Sequence, residues 1–332
     1  MNFTWNRRSF LAAGSATLIA GQASLATAQP AAKINLRFSD STTADAPRSV
    51  ALVNVFAKGI GDAFNFQPYF NGTLFKQGTE LVALQRGNLE MANLPPSDFA
   101  NQLPAFDILG AAYVVRDAAH LDRIFKSEVG ETFRKLAREK LGVVILAPAY
   151  YGVRHVNLKG NKKIRTPEDL SSVKLRMPGG ESWQFLGKSI GANPVAMAYA
   201  ETYTGLQTGA IDAQDNPLPN NKLMKFHEVT NQIVLTGHNV GFGLLLMRAQ
   251  TFDALTPEQQ KRVMSAASDA FASSTAEYLK QEQELVAFFK SAGLDVYTPD
   301  VAAFRAHAQK QYLQSPLSKA WMPGMLDKIN AL

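Results

Sequence analysis

The chain of 332 residues contains no cysteine. That absence excludes disulfides, thiolate nucleophiles, cysteine metal ligands and a lipid-modified cysteine anchor. The five histidines, at positions 120, 155, 227, 238 and 307, lack the spacing of metal ligands. Neither a metal site nor any other cofactor is therefore expected. Past the first 28 residues no segment approaches the ~20 apolar residues that a bilayer crossing needs, so direct membrane insertion is not expected. Charged residues make up 19% of the chain, and the formal balance is only +6. The bases are scattered in runs no longer than two, which argues against a nucleic-acid partner. Proline and glycine are both missing between Glu258 and Ser291.

Catalytic motifs are missing too, each by a specific residue. Gly180-Glu181-Ser182-Trp183-Gln184 starts like a hydrolase elbow but has no closing glycine. His227-Glu228-Val229-Thr230-Asn231 has Asn where a zincin needs its second His. Gly59-Ile60-Gly61 runs into Asp62-Ala63-Phe64 and forms no dinucleotide fingerprint. The chain does not read as an enzyme.

What is present begins with an export signal. Arg7-Arg8 precede a short apolar stretch from Phe10 to Gly21, and Ala26-Thr27-Ala28 offers a small-x-small cleavage site. The paired arginines followed by Ser9-Phe10-Leu11 are twin-arginine-like, although an ordinary secretory signal can also carry two arginines. Either route gives a periplasmic protein. Loss of Arg7 and Arg8 with residues 1–28 lowers the balance to +4.

The rest alternates strand and helix patterns, which predicts an α/β fold with a mostly parallel, doubly wound sheet. Strands are expected at 33–38, 65–70 and 89–94, and an apolar strand at 141–148. Tyr150 to Val156 then leaves the first lobe, and a second crossover is expected near Thr236 to Asn239, ahead of a strand at 243–247. Two crossovers make a hinge with a ligand cleft between the lobes. The expected division is 29–152 with about 241–275 in one lobe, and 153–240 with about 276–332 in the other. Thr256-Pro257-Glu258-Gln259 is a capping signature. A helix from there to Ser291 would run about 50 Å and span both lobes; two helices meeting near Ser273-Ser274 would fit the same residues. A last helix is expected at 301–314, with an irregular tail from Pro316.

The densest polar punctuation lies between Lys174 and Pro219. Arg176 sits in a short strand between Leu175 and Met177, and a guanidinium fork is the natural partner of a carboxylate. A surface arginine on an edge strand would show the same spacing. Arg154 has the same ambiguity, since an internal Arg–Asp pair is indistinguishable in sequence. Asn216, held extended by Pro217, and Asp215 fall at a strand end, where such folds bind ligands. Trp183 and Tyr199 are candidate pocket walls, or core aromatics.

These residues carry a resemblance. Arg165-Thr166-Pro167-Glu168-Asp169-Leu170, with Val173 to Pro178, resembles the TPEDLKGLKIRVP segment of TRAP transporter solute-binding proteins of the DctP type. Glu201 to Pro217 is similar to that family's EVYxALQTGVVDGQENP. The resemblance implies a type II-like, two-lobed periplasmic binding protein that closes on a small-molecule carboxylate and delivers it to TRAP membrane permease subunits. It implies that Arg176 forms the carboxylate salt bridge, that Arg154 also reaches it, and that Asn216 and Tyr199 line the site. Asp215 stands where the family usually has Glu, so its part is less fixed. Family ligands include C4-dicarboxylates, 2-oxo acids, aromatic acids and sugar acids. A receptor for another importer or a sensor, or an exported α/β hydrolase, would be the competing readings.

Overall fold

A computed structural model describes residues 32–332; the expected signal at 1–28 lies outside the described residues. Strands β1 (Ile34–Ser39), β2 (Phe64–Tyr69) and β3 (Met91–Leu94) form one lobe's sheet. In β1 the buried side chains alternate through Leu36 and Phe38, the period of a strand with one face packed under helices. Strands β4 (Val143–Leu158), β5 (Lys174–Met177), β6 (Asn193–Ala196), β7 (Ala213–Pro217), β8 (Gln232–Arg248) and β9 (Asp295–Tyr297) complete the set. They form one continuous sheet in the order β2-β1-β3-β8-β4-β7-β5-β6, with β9 on β8.

The sheet is mixed, and the two long strands explain why. β4 has 16 residues and β8 has 17, and they pair antiparallel from Val143–Arg248 to Leu158–Gln232. One end of this ribbon is zipped to the first lobe by β3–β8 pairing, the other to the second lobe by β4–β7 pairing. The outer strands of each lobe, β2-β1-β3 and β7-β5-β6, are parallel, as the sequence suggests. The crossovers expected as connections after 148 and before 243 are instead the middles of continuous strands. Their apolar runs are interrupted by Gly152, Arg154 and Gly241, which hid the strands' true length.

Gly152 faces Gly241 across the ribbon. Gly152 has φ +115°, and a Cβ there would stand 2.8 Å from Pro217 Cβ. Only glycine fits so close a passage with that backbone.

The helix predicted from Thr256 is continuous over Pro257–Ser291, with its capping box formed between Thr256 and Gln259. It packs on Pro47–Ala51 of the first lobe, on β4, and on Leu218–Leu223 of the second. In its second half, Glu282 accepts from Val153 N at 2.6 Å and from Tyr150 Oη at 2.7 Å, holding β4 on either side of Gly152. The C-terminal tail is ordered rather than irregular, with short helices at Pro316–Lys319 and Met325–Asn330. His120 and Arg116 hold the last of these through the carbonyls of Ile329 and Asn330.

Candidate functional site

A cavity opens where the two lobes face each other, with about 660 Å³ of empty space counting its mouth. Of the residues singled out in the sequence, Arg154, Arg176, Trp183, Tyr199 and Asn216 line it, and Asp215 does not. Among the described residues three arginines face it, since Arg48 joins from the first lobe. Their surroundings differ in a way that separates their roles.

Arg154, on β4, is locked to β7. Its Nε and Nη2 reach Asp215 Oδ2 and Oδ1 at 2.6 and 2.9 Å, and Nη2 also reaches the Asp215 carbonyl. His238 Nε2 lies 3.1 Å from Asp215 Oδ2, and Thr236 Oγ1 lies 2.8 Å from His238 Nδ1. Burial alone would raise the Asp215 carboxyl, but the Arg154 charge with hydrogen bonds from Arg154 and His238 holds it well below the usual carboxylate range. This is the internal Arg–Asp pair that the sequence left open.

Arg48, near the start of Pro47–Ala51, is likewise neutralised. Its Nε and Nη2 donate to Asp40 at 2.9 and 3.1 Å, and its guanidinium lies 4.0 Å from the Tyr151 ring centre. Asp40 also accepts from Thr42 N and Asn93 Nδ2, so both its oxygens are engaged. Arg48 and Asp40 were not picked out in the sequence. Asp40 closes the first strand, and polar residues at the carboxyl ends of strands are the available signal.

Arg176 is the exception. It sits on β5, which is flanked by β6 and β7, so the edge-strand reading fails. The side chain is only 1% exposed. Nε donates to the Met197 carbonyl at 2.8 Å and Nη2 to Gln77 Oε1 at 3.2 Å, both neutral acceptors. Among the described residues it makes no ion pair. Burial pushes its pKa down to about 10, with the nearby Arg154 charge adding to that and Asp215 opposing it. It remains charged at neutral pH.

The walls between these charges are polar. Asn216 donates to Gln214 Oε1 at 2.6 Å, which fixes its amide. Asn93, Asn220, Asn239, Gln77 and Ser97 also face the cavity. Asn93 Oδ1 and the Tyr199 hydroxyl are buried without a hydrogen bond; the hydroxyl lies beside Asn220 in no geometry that makes one. Tyr199 falls in a short 3-10 turn just past β6, which ends at Ala196.

Side-chain contacts at the cavity join the lobes, among them those of Gln77 and Trp183. Gln77 Oε1, from the loop before the helix Glu80–Arg86, accepts from Tyr199 N at 2.9 Å as well as from Arg176. Trp183 Nε1, from the helix Glu181–Ser189, donates to Asp98 Oδ1 at 3.1 Å, while Arg154 lies 5.1 Å from the Trp183 ring centre. Burial raises the Asp98 carboxyl to about 6, with the Trp183 bond opposing. A neighbouring acid, Glu80, is raised to about 8, chiefly by burial.

Known proteins share this architecture. A TRAP periplasmic solute-binding protein from Roseobacter denitrificans, solved with bound 3-deoxy-D-manno-oct-2-ulosonic acid, is 44% identical with a TM-score of 0.89, covering 90% of this chain and 99% of that one. The sialic acid-binding periplasmic protein SiaP of Vibrio cholerae is 32% identical over 71% of this chain and 74% of its own length. The 2,3-diketo-L-gulonate-binding periplasmic protein YiaO of Escherichia coli is 29% identical over 85% and 86%. The family model for bacterial extracellular solute-binding proteins, family 7 (DctP), matches residues 42–317. The relatives are receptors rather than enzymes, and the chain belongs to this family of TRAP periplasmic solute-binding proteins.

Proposed function

We propose that the protein captures a polyhydroxylated sugar acid, with the carboxylate on Arg176, and hands it to TRAP membrane permease subunits. The observation that carries the reading is Arg176 itself, a buried guanidinium held only by neutral carbonyls. A charge taken out of water without a partner costs several kcal/mol, so a carboxylate arriving there recovers a large free energy. The Arg154–Asp215 pair is read as the rigid wall that orients Asn216 and the ligand beside it. The polar amides around the cavity suit hydroxyl groups, each of which both donates and accepts. The ulosonic acid named for the 44% identical neighbour is a ligand of this kind.

Capture is read as lobe closure about the Gly152–Gly241 passage. The test is titration calorimetry of the mature protein with 3-deoxy-D-manno-oct-2-ulosonic acid, hexuronates and aldonates, beside small-angle X-ray scattering. Saturable binding of at least one such acid with compaction of the particle is expected. At a hundredfold excess over Kd the native state should gain about 2.7 kcal/mol, visible as a rise in Tm. If protein refolded free of any co-purified ligand binds none of these acids, the reading is wrong.

Gln77 couples closure to the arginine. Because its one oxygen bridges Tyr199 N and Arg176 Nη2 across the lobes, Gln77→Ala should loosen the closed form and free the fork. A hydrogen bond to a charged group contributes about 1.5–3 kcal/mol, so affinity should fall roughly tenfold or more. Stopped-flow binding should place most of the change in koff.

A further inference from the structure

We infer that the cleft selects acids with a single carboxylate and rejects dicarboxylates of the same length, because it offers one uncompensated cation. The inference rests on the reading of Arg176 as the carboxylate partner. It comes from a count of the charges that meet at the cavity. Arg154 is matched by Asp215, which accepts from both Nε and Nη2 at 2.6 and 2.9 Å. Arg48 is matched by Asp40 in the same two-point manner. Both pairs are buried: Arg154 is 6% exposed and Asp215 0%, while Arg48 is 5% and Asp40 2%. That leaves Arg176, whose bonds go to carbonyl oxygens.

The paired arginines are poor hosts for a second anion. Asp40 receives four hydrogen bonds, from Arg48 twice, Thr42 N and Asn93 Nδ2, so both its oxygens are already engaged. A second carboxylate brought beside Arg48 would face the Asp40 charge across the same guanidinium. It would gain little from the shared cation and lose its own water. Among the described residues no other cation lines the cavity, and the remaining polar walls are amides and hydroxyls. Asp98, buried behind Trp183 and bonded to it, adds an acidic group rather than a basic one. The alcohols of a sugar acid need no counter-charge, and the amides of Gln77, Asn93, Asn220 and Asn239 line the cavity to meet them.

The Arg48–Asp40 pair therefore acts as a specificity element. It presents a neutral unit, donor on one side and acceptor on the other, where a dicarboxylate receptor would need a free cation. The same logic predicts how the preference could be altered. Asp40→Asn keeps the side-chain shape and removes the negative charge, which would leave Arg48 as a second unmatched cation.

The experiment compares matched pairs by calorimetry at pH 7.5: D-gluconate with D-glucarate, and D-galacturonate with galactarate. The members of a pair differ at one terminal carbon. In the pair whose monoacid binds best, the aldarate is expected to bind at least about 100-fold more weakly. Asp40→Asn, shown folded by its thermal melt, should narrow that ratio by tenfold or more. Aldarate binding equal to or tighter than its monoacid would overturn the inference while leaving the Arg176 reading in place. An unchanged ratio in Asp40→Asn would remove Asp40 as its cause. If no monoacid binds and the aldarates do, both readings fall.

Discussion

Arg176→Ala should lose most of the ligand affinity while leaving the unliganded protein as stable as before, or more so. The two halves of that expectation have one origin. In the closed cleft the guanidinium is 1% exposed, bonded to Met197 O and Gln77 Oε1, and matched by no carboxylate among the described residues. Burial already disfavours its charged form, which is why its pKa falls to about 10. The unliganded protein therefore carries the cost of a desolvated cation whenever its lobes close. Removing that cation relieves the cost; removing it from the complex leaves the ligand's carboxylate buried and unpaired. Breaking one side of such a pair typically costs about 3–5 kcal/mol, or a loss of affinity between two and four powers of ten. Arg176→Met, which fills the volume with an apolar chain, separates charge from packing. Both variants should keep or raise the Tm of the free protein and show little heat with acids that the wild type binds. Undiminished acid binding by either would defeat the assignment of Arg176.

That opposition between stability and affinity was only half legible in the sequence. The position of Arg176 in a short strand, its two apolar neighbours and the surrounding family-like motif all pointed to an acid site. What could not be read was which of several arginines would be left without a partner. Arg154 and Arg176 look alike in one dimension. The difference arises because β4 lies beside β7, which brings Asp215 under Arg154, while β5 lies on the far side of β7 and meets only backbone and Gln77. Pairing between strands that are 60 residues apart is a property of topology, and no local pattern encodes it. Arg48 was passed over for the opposite reason, since an arginine in the first turn of an amphipathic helix is usually a surface residue. Here the first lobe closes over it.

The fold was more readable where its signals are local. Thr256 and Gln259 form the capping box, and the stretch free of proline and glycine lies within one 35-residue helix that starts at Pro257. The long strands were truncated in the reading because their centres carry Gly152, Arg154 and Gly241, residues chosen for the close passage and the cavity rather than for strand propensity. Functional demands interrupt the periodic pattern at the very place where the site is built. The ends of β4 and β8 obey the pattern, and the middles do not.

Asp215→Ala should be the most destabilising single change at the site, by about 3–5 kcal/mol, a large share of the roughly 5–15 kcal/mol that a domain possesses. The carboxylate is fully buried and receives Arg154 at two points and His238 at a third. Its removal strands a guanidinium that is itself 6% exposed. Asp215→Asn should cost less, since the amide oxygen still accepts one of those bonds, but it too leaves the Arg154 charge uncompensated. The pH dependence identifies the cause. The folded-state pKa of Asp215 lies well below its value in the unfolded chain, which is near 3.9. The stability this pair contributes is therefore fully present above about pH 4 and is lost as pH falls toward the folded pKa. Urea unfolding of the wild type and of Asp215→Ala should show a constant difference from pH 7.5 down to about pH 4.5, shrinking at lower pH. A gap that stayed the same at pH 3 would mean that lost packing, rather than the lost counter-charge of Arg154, destabilises the variant. Because Arg154 forms the wall beside Asn216 and Trp183, the same substitution should weaken acid binding even where the variant remains folded. It should do so with a smaller loss than Arg176→Ala, since the cation that meets the carboxylate is still in place.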